Sequence, residues 1–205
     1  MSLCHSPRGL DVMSVQKFAC RVWCVLVCAL ACTSVNASEL SDKLQSSDYV
    51  LLMRHTRAPG IGDPANYTLN DCKTQRNLSD EGRKQAVAVG NWLKKQGLQT
   101  ADVHASAWCR CKDTAELLKL GRVTVEPTLA SFFDNMAQAK TQNQKLEQFI
   151  ASQRQTKGKQ ALILVTHHVN IYEFMGENVA SGDMVLAKVD SNGKMISYKL
   201  IPRPN

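Results

Sequence analysis

From residue 49 onward, short apolar runs alternate with stretches of helical period. Tyr49-Val-Leu-Leu-Met-Arg-His-Thr begins as a β-branched and aromatic run and predicts a buried strand that ends in Arg54-His55. Ser79-Asp-Glu predicts a helix start, with Ser79 as N-cap and two acids in the first turn. Ala86, Val89, Trp92 and Leu93 give that helix an apolar face, and Gly97 stops it. Ala101 to Ser106 reads as a second strand, about Cys109 to Leu120 as a helix, and Arg122 to Glu126 as a third strand closed by Pro127. A helix over about Gln138 to Gln155 carries Leu146, Phe149 and Ile150 on one side. Gln160 to Thr166 is the most apolar strand, a continuous run of the kind buried on both faces of a parallel sheet. A short helix near Val169 to Met175 follows, and then two strands, Met184 to Val189 and Met195 to Ile201, joined across Asp190-Ser-Asn-Gly193 as a hairpin. This alternation predicts an α/β three-layer sandwich with a mostly parallel central sheet and an antiparallel C-terminal edge. Between the first strand and the first helix, residues 56–77 form a loop rich in Gly, Pro, Asn and Asp, and loops of that length are usually functional.

The first 37 residues read differently. Lys17 and Arg21 precede the apolar run Val22 to Cys32, and Val35-Asn-Ala37 offers small residues for cleavage before Ser38. A signal peptide over residues 1–37 is expected, with Met13 as an alternative true start, and a single domain over residues 38–205. The apolar run is too short for the roughly 20 residues that a membrane span needs, so no lasting membrane insertion is expected after cleavage. The domain carries 22 Lys+Arg against 17 Asp+Glu, a net charge of +5, which favours anionic ligands. That surplus is not dense enough for nucleic acid, and aromatic residues do not interleave with it. Five of the eight cysteines fall in the leader, leaving Cys72, Cys109 and Cys111. In an oxidising compartment three cysteines predict one disulfide and one free thiol. Cys109 and Cys111 are too close in sequence to bridge each other well, so Cys72 is expected to pair with one or the other.

The chemistry gathers at strand ends. Arg54-His55, Arg110 shortly after Ser106, and His167-His168 all close or follow predicted parallel strands, whose carboxyl ends share one rim. Two arginines and two histidines there would form a pocket for a dianionic phosphoryl group. The arginine charges would also keep His55 neutral, the state in which an imidazole is a nucleophile.

These residues resemble the histidine phosphatase superfamily, the clan of phosphoglycerate-mutase-like and histidine acid phosphatases. Its Arg-His-Gly is matched by Arg54-His55-Thr56, and its Leu-Thr/Ser-x-x-Gly-x-x-Gln-Ala by Leu78-Ser-Asp-Glu-Gly82-Arg-Lys-Gln85-Ala86. Its Ser-Pro-Leu-x-Arg-Ala-x-x-Thr-Ala is matched by Ser106-Ala-Trp-Cys-Arg110-Cys-Lys-Asp-Thr114-Ala115, and its second histidine by Leu164-Val-Thr-His167. The resemblance implies that His55 becomes a phosphohistidine, that Arg54, Arg110 and His167 hold the phosphoryl oxygens, and that no metal or other cofactor takes part. It departs at Thr56, where the family has glycine, at Trp108, and at His168, which narrows the pocket. The family's acidic residue after the third strand is missing near Ala130-Ser131, leaving Asp134, Glu126 or no group at all as general acid. Arg57, Arg76 and His168 are expected on the substrate side. A zinc site from Cys72, Cys109, Cys111 and His104 would lack any standard ligand spacing. The expected protein is a periplasmic or secreted, metal-independent phosphomonoesterase acting on a small or envelope-borne phosphoester. Its alternative is a weakly active or inactive phosphate-binding protein with the same pocket. Oligomeric state is left open.

Overall fold

The computed structural model describes Met1 and residues 38–204. The expected leader, with its alternative start at Met13, lies apart from Met1 outside the described residues. The elements are α1 (Ser38–Gln45), β1 (Tyr49–Arg54), α2 (Asp80–Lys95), β2 (Ala101–Ala105), α3 (Cys109–Leu117), β3 (Val123–Val125), α4 (Ala139–Thr156), β4 (Ala161–Thr166), α5 (His168–Met175), β5 (Met184–Val189) and β6 (Met195–Ile201). Helix α1 has no counterpart in the sequence reading. It places Leu40 and Leu44, one turn apart, into the core.

One six-stranded sheet runs in the order β3-β2-β4-β1-β5-β6. Strands β3, β2, β4 and β1 are mutually parallel, and β5 and β6 add an antiparallel edge. Alternation along β1 shows how the layers form. Leu51 and Met53 face a core shared with Val89, Leu93 and Leu118 from the α2–α3 side. Val50 and Leu52 face the opposite core, with Leu146 and Ile150 of α4 and Ile171 and Phe174 of α5. Both faces are covered, as a parallel sheet requires, and β4 is buried along its whole length. The result is the three-layer α/β sandwich. No helix among the described residues is long and apolar enough to cross a membrane.

Register positions the chemistry. Arg54 lies opposite Thr166, and Ala105 opposite Val165, so β1, β4 and β2 end side by side. Beyond those ends the pairing continues through single bonds: His55 N–H donates to Thr166 O at 3.0 Å and Ser106 N–H to Val165 O at 3.0 Å. His55, Ser106 and His167 therefore leave the sheet together.

The start of α2 is pressed onto this rim. Ser79 accepts from Gly82 N–H at 3.1 Å as the N-cap, and a Cβ on Gly82 would lie 2.1 Å from the Arg57 carbonyl oxygen. Only glycine lets the helix approach the loop so closely.

Candidate active site

His55 is almost wholly buried. Its Nδ1 lies 2.8 Å from the Thr56 carbonyl oxygen, which can only accept, so Nδ1 carries the proton and Nε2 keeps the free lone pair. Burial, reinforced by Arg110, Arg54 and Arg76, pushes the pKa of His55 down to about 3 despite the opposing hydrogen bond. The imidazole is neutral at any ordinary pH. Thr56, which stands where the family has glycine, is fully buried and accommodated. Its hydroxyl donates to Thr114 Oγ1 at 3.1 Å, and its N–H donates to the same oxygen at 3.1 Å. Thr114 in turn donates to the Arg110 carbonyl at 2.7 Å. The backbone beside His55 is thus tied to the helix turn that carries Arg110.

Arg110 opens α3 and is buried. Its Nη1 donates to Asp63 at 2.9 and 3.1 Å, while its Nε is buried without a partner. Arg54 donates through Nη1 to the Val179 carbonyl at 2.7 Å, and its Nε is likewise buried and unpaired. Buried polar groups are ordinarily satisfied, so two orphaned guanidinium donors beside one cleft fit an anionic ligand. His167 is fully enclosed, and burial with the fields of His55 and Arg110 drives its pKa well below the usual range. Its Nδ1 lies 3.4 Å from Arg110 Nη2 and accepts from it, so its Nε2–H donates to Ser106 Oγ at 2.9 Å.

Together these side chains line a cavity of about 260 Å³, with Arg76 on the loop side and His168, Ser131 and Asp134 toward the mouth. Asp134 is exposed and accepts from Tyr67 Oη at 3.4 Å. His168, half-buried, has its pKa lowered by burial and by Arg54, Arg76 and Arg110. Arg57 and Glu126 do not line the cavity. Arg57 pairs with Glu81 at 3.2 Å, and Glu126 accepts from Thr128 N–H at 2.8 Å, capping the turn over residues 127–129.

The long loop contributes more than the sequence showed. Asp63, missed in the sequence reading, accepts from Arg110, from Trp108 Nε1 at 3.1 Å and from Arg76 N–H at 2.9 Å. A buried arginine demands a counter-charge, and that demand is the one signal pointing to a loop carboxylate. Arg76 folds back onto the carbonyls of Gly62 and Ala58. Trp108 also sets its ring edge-on to His167, with centroids 5.2 Å apart. A disulfide joins Cys72 to Cys109, Cα atoms 5.7 Å apart, which settles the pairing left open by the sequence. With those two cysteines bridged and His104 lying against Asp102 and Phe149, the four residues do not form a zinc site. Cys111 is free and buried, 3.5 Å from His167 Nε2, and burial pushes its pKa up to about 12, so it stays a neutral thiol.

Three guanidinium groups around one small cleft serve a dianion, and an unprotonated imidazole among them serves phosphoryl transfer; the class is a phosphatase. The chain belongs to the histidine phosphatase superfamily (branch 1), whose profile matches residues 50–162, a stretch that carries Arg54, His55 and Arg110 and stops short of His167. Solved structures of similar fold include a phosphoserine phosphatase from Entamoeba histolytica in complex with 3-phosphoglyceric acid. It is 11% identical over 77% of this chain and 96% of that one, with a TM-score of 0.54. Another is a putative phosphohistidine phosphatase, SixA, from Agrobacterium tumefaciens, 14% identical over 78% of this chain and 97% of that one, with a TM-score of 0.50. At such identities the likeness is one of fold. Among curated proteins none matches the chain.

The buried histidines make stability depend on acid. His55 has a folded pKa of about 3, below the ordinary 6.5 of the unfolded chain, so the unfolded state takes up a proton first as pH falls. Stability is complete above pH 6.5 and declines below it. At pH 4.5 His55 alone accounts for a loss of about 3 kcal/mol, from about 1.4 kcal/mol per pH unit, and His167 adds in the same direction. Urea unfolding at pH 7.0, 5.5 and 4.5 is expected to show the midpoint falling steadily. A flat profile would mean that neither ring is buried neutral.

Proposed function

We propose that this phosphatase is a metal-independent phosphomonoesterase working through a phosphohistidine on His55, exported to the periplasm or beyond, where it acts on a small or envelope-borne phosphoester. The observation that carries the reading is the His55 ring itself. Nδ1 is fixed on the Thr56 carbonyl, and Nε2 is left unprotonated beside the unpaired Nε atoms of Arg54 and Arg110. In the first displacement the Nε2 lone pair forms the N–P bond while the bond from phosphorus to the ester oxygen breaks. In the second, water attacks phosphorus and gives its proton to the carboxylate that the first step deprotonated, the N–P bond breaks and inorganic phosphate leaves. Arg54 and Arg110 hold the phosphoryl oxygens through both steps, and His167 joins them once its Nε2–H turns from Ser106 to the phosphoryl group; arginines already in place meet charge developing there without reorganisation. They also supply the positive charge a metal would otherwise bring.

The departing alcohol oxygen takes its proton from Asp134. Of the two carboxyl groups lining the cleft, Asp63 is committed to Arg110, Trp108 and Arg76, which leaves Asp134. Asp134→Asn is expected to lower kcat about 100-fold for an alkyl phosphate, whose leaving group needs protonation, and only slightly for an aryl phosphate. Equal effects on both substrates would remove the acid role. His168, at the mouth, contacts the substrate beyond its phosphate. The leader pattern of residues 1–37 and the Cys72–Cys109 disulfide both support export, since such bridges persist in oxidising compartments.

The test is hydrolysis of an aryl phosphate with chelator present, followed by rapid quench with labelled substrate. Turnover with an acid-labile, alkali-stable phosphoryl label on the protein is expected. Phosphate binding without turnover would instead make this a phosphate-binding protein, the outcome to which the missing acidic residue near Ser131 points.

A further inference from the structure

The guanidinium groups account for the floor of the cleft but not for its mouth. There two large apolar side chains reach solvent: Ile61 is 91% exposed and Phe133 40% exposed, and both line the cavity. Backbone conformation puts Ile61 there. Gly60 and Gly62 flank it with φ of +96° and +67°, left-handed values that glycine adopts freely, so the chain turns around a single projecting isoleucine. Next to it Phe133 is held by a turn, its N–H donating to Ser131 Oγ at 3.2 Å and Asn135 N–H donating to Phe132 O at 2.9 Å. The two segments adjoin, since a Cβ at Gly62 would lie 3.8 Å from the Phe133 ring. Phe133 also leans on His168, ring centroids 6.0 Å apart. A lone exposed apolar residue needs no explanation, but an adjoining pair at the lip of a charged pocket is a binding feature.

We infer that Ile61 and Phe133 form a leaving-group subsite for an apolar or aromatic group carried next to the phosphate, selecting phosphomonoesters of hydrophobic alcohols over those of polyols and sugars. The inference rests on the reading that the cleft floor holds the phosphoryl group. With the phosphoryl group on the floor of a cavity of about 260 Å³, the leaving group extends toward the mouth that Ile61 and Phe133 line. An apolar group there gains burial against both side chains. A polyol would give up water against Ile61 and Phe133, with Ser131 and Asp134 as the polar groups at hand, and imperfectly matched hydroxyls weaken binding.

Phosphonates test this without requiring turnover. Calorimetric titration of the purified protein with benzylphosphonate and with 2,3-dihydroxypropylphosphonate, each in competition with inorganic phosphate, gives the preference as a ratio. A ratio of about tenfold or more in favour of the benzyl compound is expected, the scale set by a few methylene groups in an apolar pocket. Ile61→Ser and Phe133→Ser should each bring the ratio toward one, and Phe133→Leu should keep most of it. Neither side chain belongs to either core cluster, so their loss does not open the core, and thermal melting confirms folding. A ratio at or below one, or one that survives both serine variants, overturns the subsite. Binding of neither phosphonate overturns both the subsite and the phosphoryl pocket beneath it. Hydrolysis of benzyl phosphate is scored separately: its absence with the ratio intact removes the hydrolytic reading and leaves the subsite standing.

Discussion

Replacing His55 by alanine is expected to lower kcat by about 10⁴-fold or more while phosphate binding changes by less than about tenfold. On the proposed mechanism the two effects separate, because the nucleophile and the anion grip are different groups. His55 supplies one lone pair, freed by the Thr56 carbonyl and kept unprotonated by burial and three arginines. The grip comes from Arg54 and Arg110, anchored independently of His55 by the Val179 carbonyl and by Asp63. An alanine at 55 leaves those anchors in place, so water meets a well-oriented phosphoryl group but finds no partner for the first displacement. Steady-state hydrolysis of an aryl phosphate checks the first effect and phosphate titration the second. Labelled substrate should leave no phosphoryl label on the variant. Turnover above a tenth of the parent rate, or a label persisting on another residue, would move the nucleophile away from His55.

The strand ends were legible because a parallel sheet writes itself as continuous apolar runs, and whatever follows such a run leaves the sheet at the same rim. Val50 to Met53 and Ala161 to Val165 are fully buried neighbours, so the polar residues after them had to emerge together. Loop contributions were not legible, because residues 56–77 have no period from which to read direction. Arg57 and Arg76 look alike in the sequence. The first lies beside the opening turn of α2 and meets Glu81, whereas the second folds back onto loop carbonyls and lines the cleft. Asp63 announces itself only through the buried charge of Arg110, a partner 47 residues away. Helix α1 escaped notice because Leu40 and Leu44 make a single i,i+4 pair, too little for a periodic signal. The choice of disulfide partner is a matter of helix rotation. Two positions along α3 turn the side chain by about 200°, so Cys109 meets the loop while Cys111 is driven into the core beside His167.

That rotation makes the disulfide a clamp on the catalytic rim, and Cys72→Ser is expected to destabilise the protein by about 4 kcal/mol, from the entropy of closing a loop of 37 residues. At this size such a loss lowers Tm by about 10 °C. Activity should fall as well, because the bridge fastens the loop that supplies Asp63 and Arg76 to the helix that supplies Arg110. Without it the loop keeps the Asp63 contacts and the bond from Cys109 N–H to Gln75 Oε1, so the site loosens rather than disappears. The expected signature is a raised Km with a smaller change in kcat, since Arg110 would sample positions that grip the dianion poorly. Reductant added to the parent protein should reproduce the variant's melting temperature and kinetics. Reductant should then leave Cys72→Ser itself unchanged, because Cys111 is buried and unbridged. Thermal melting and steady-state kinetics with and without reductant check this, and a parent protein indifferent to reductant would show that the bridge does not hold the loop.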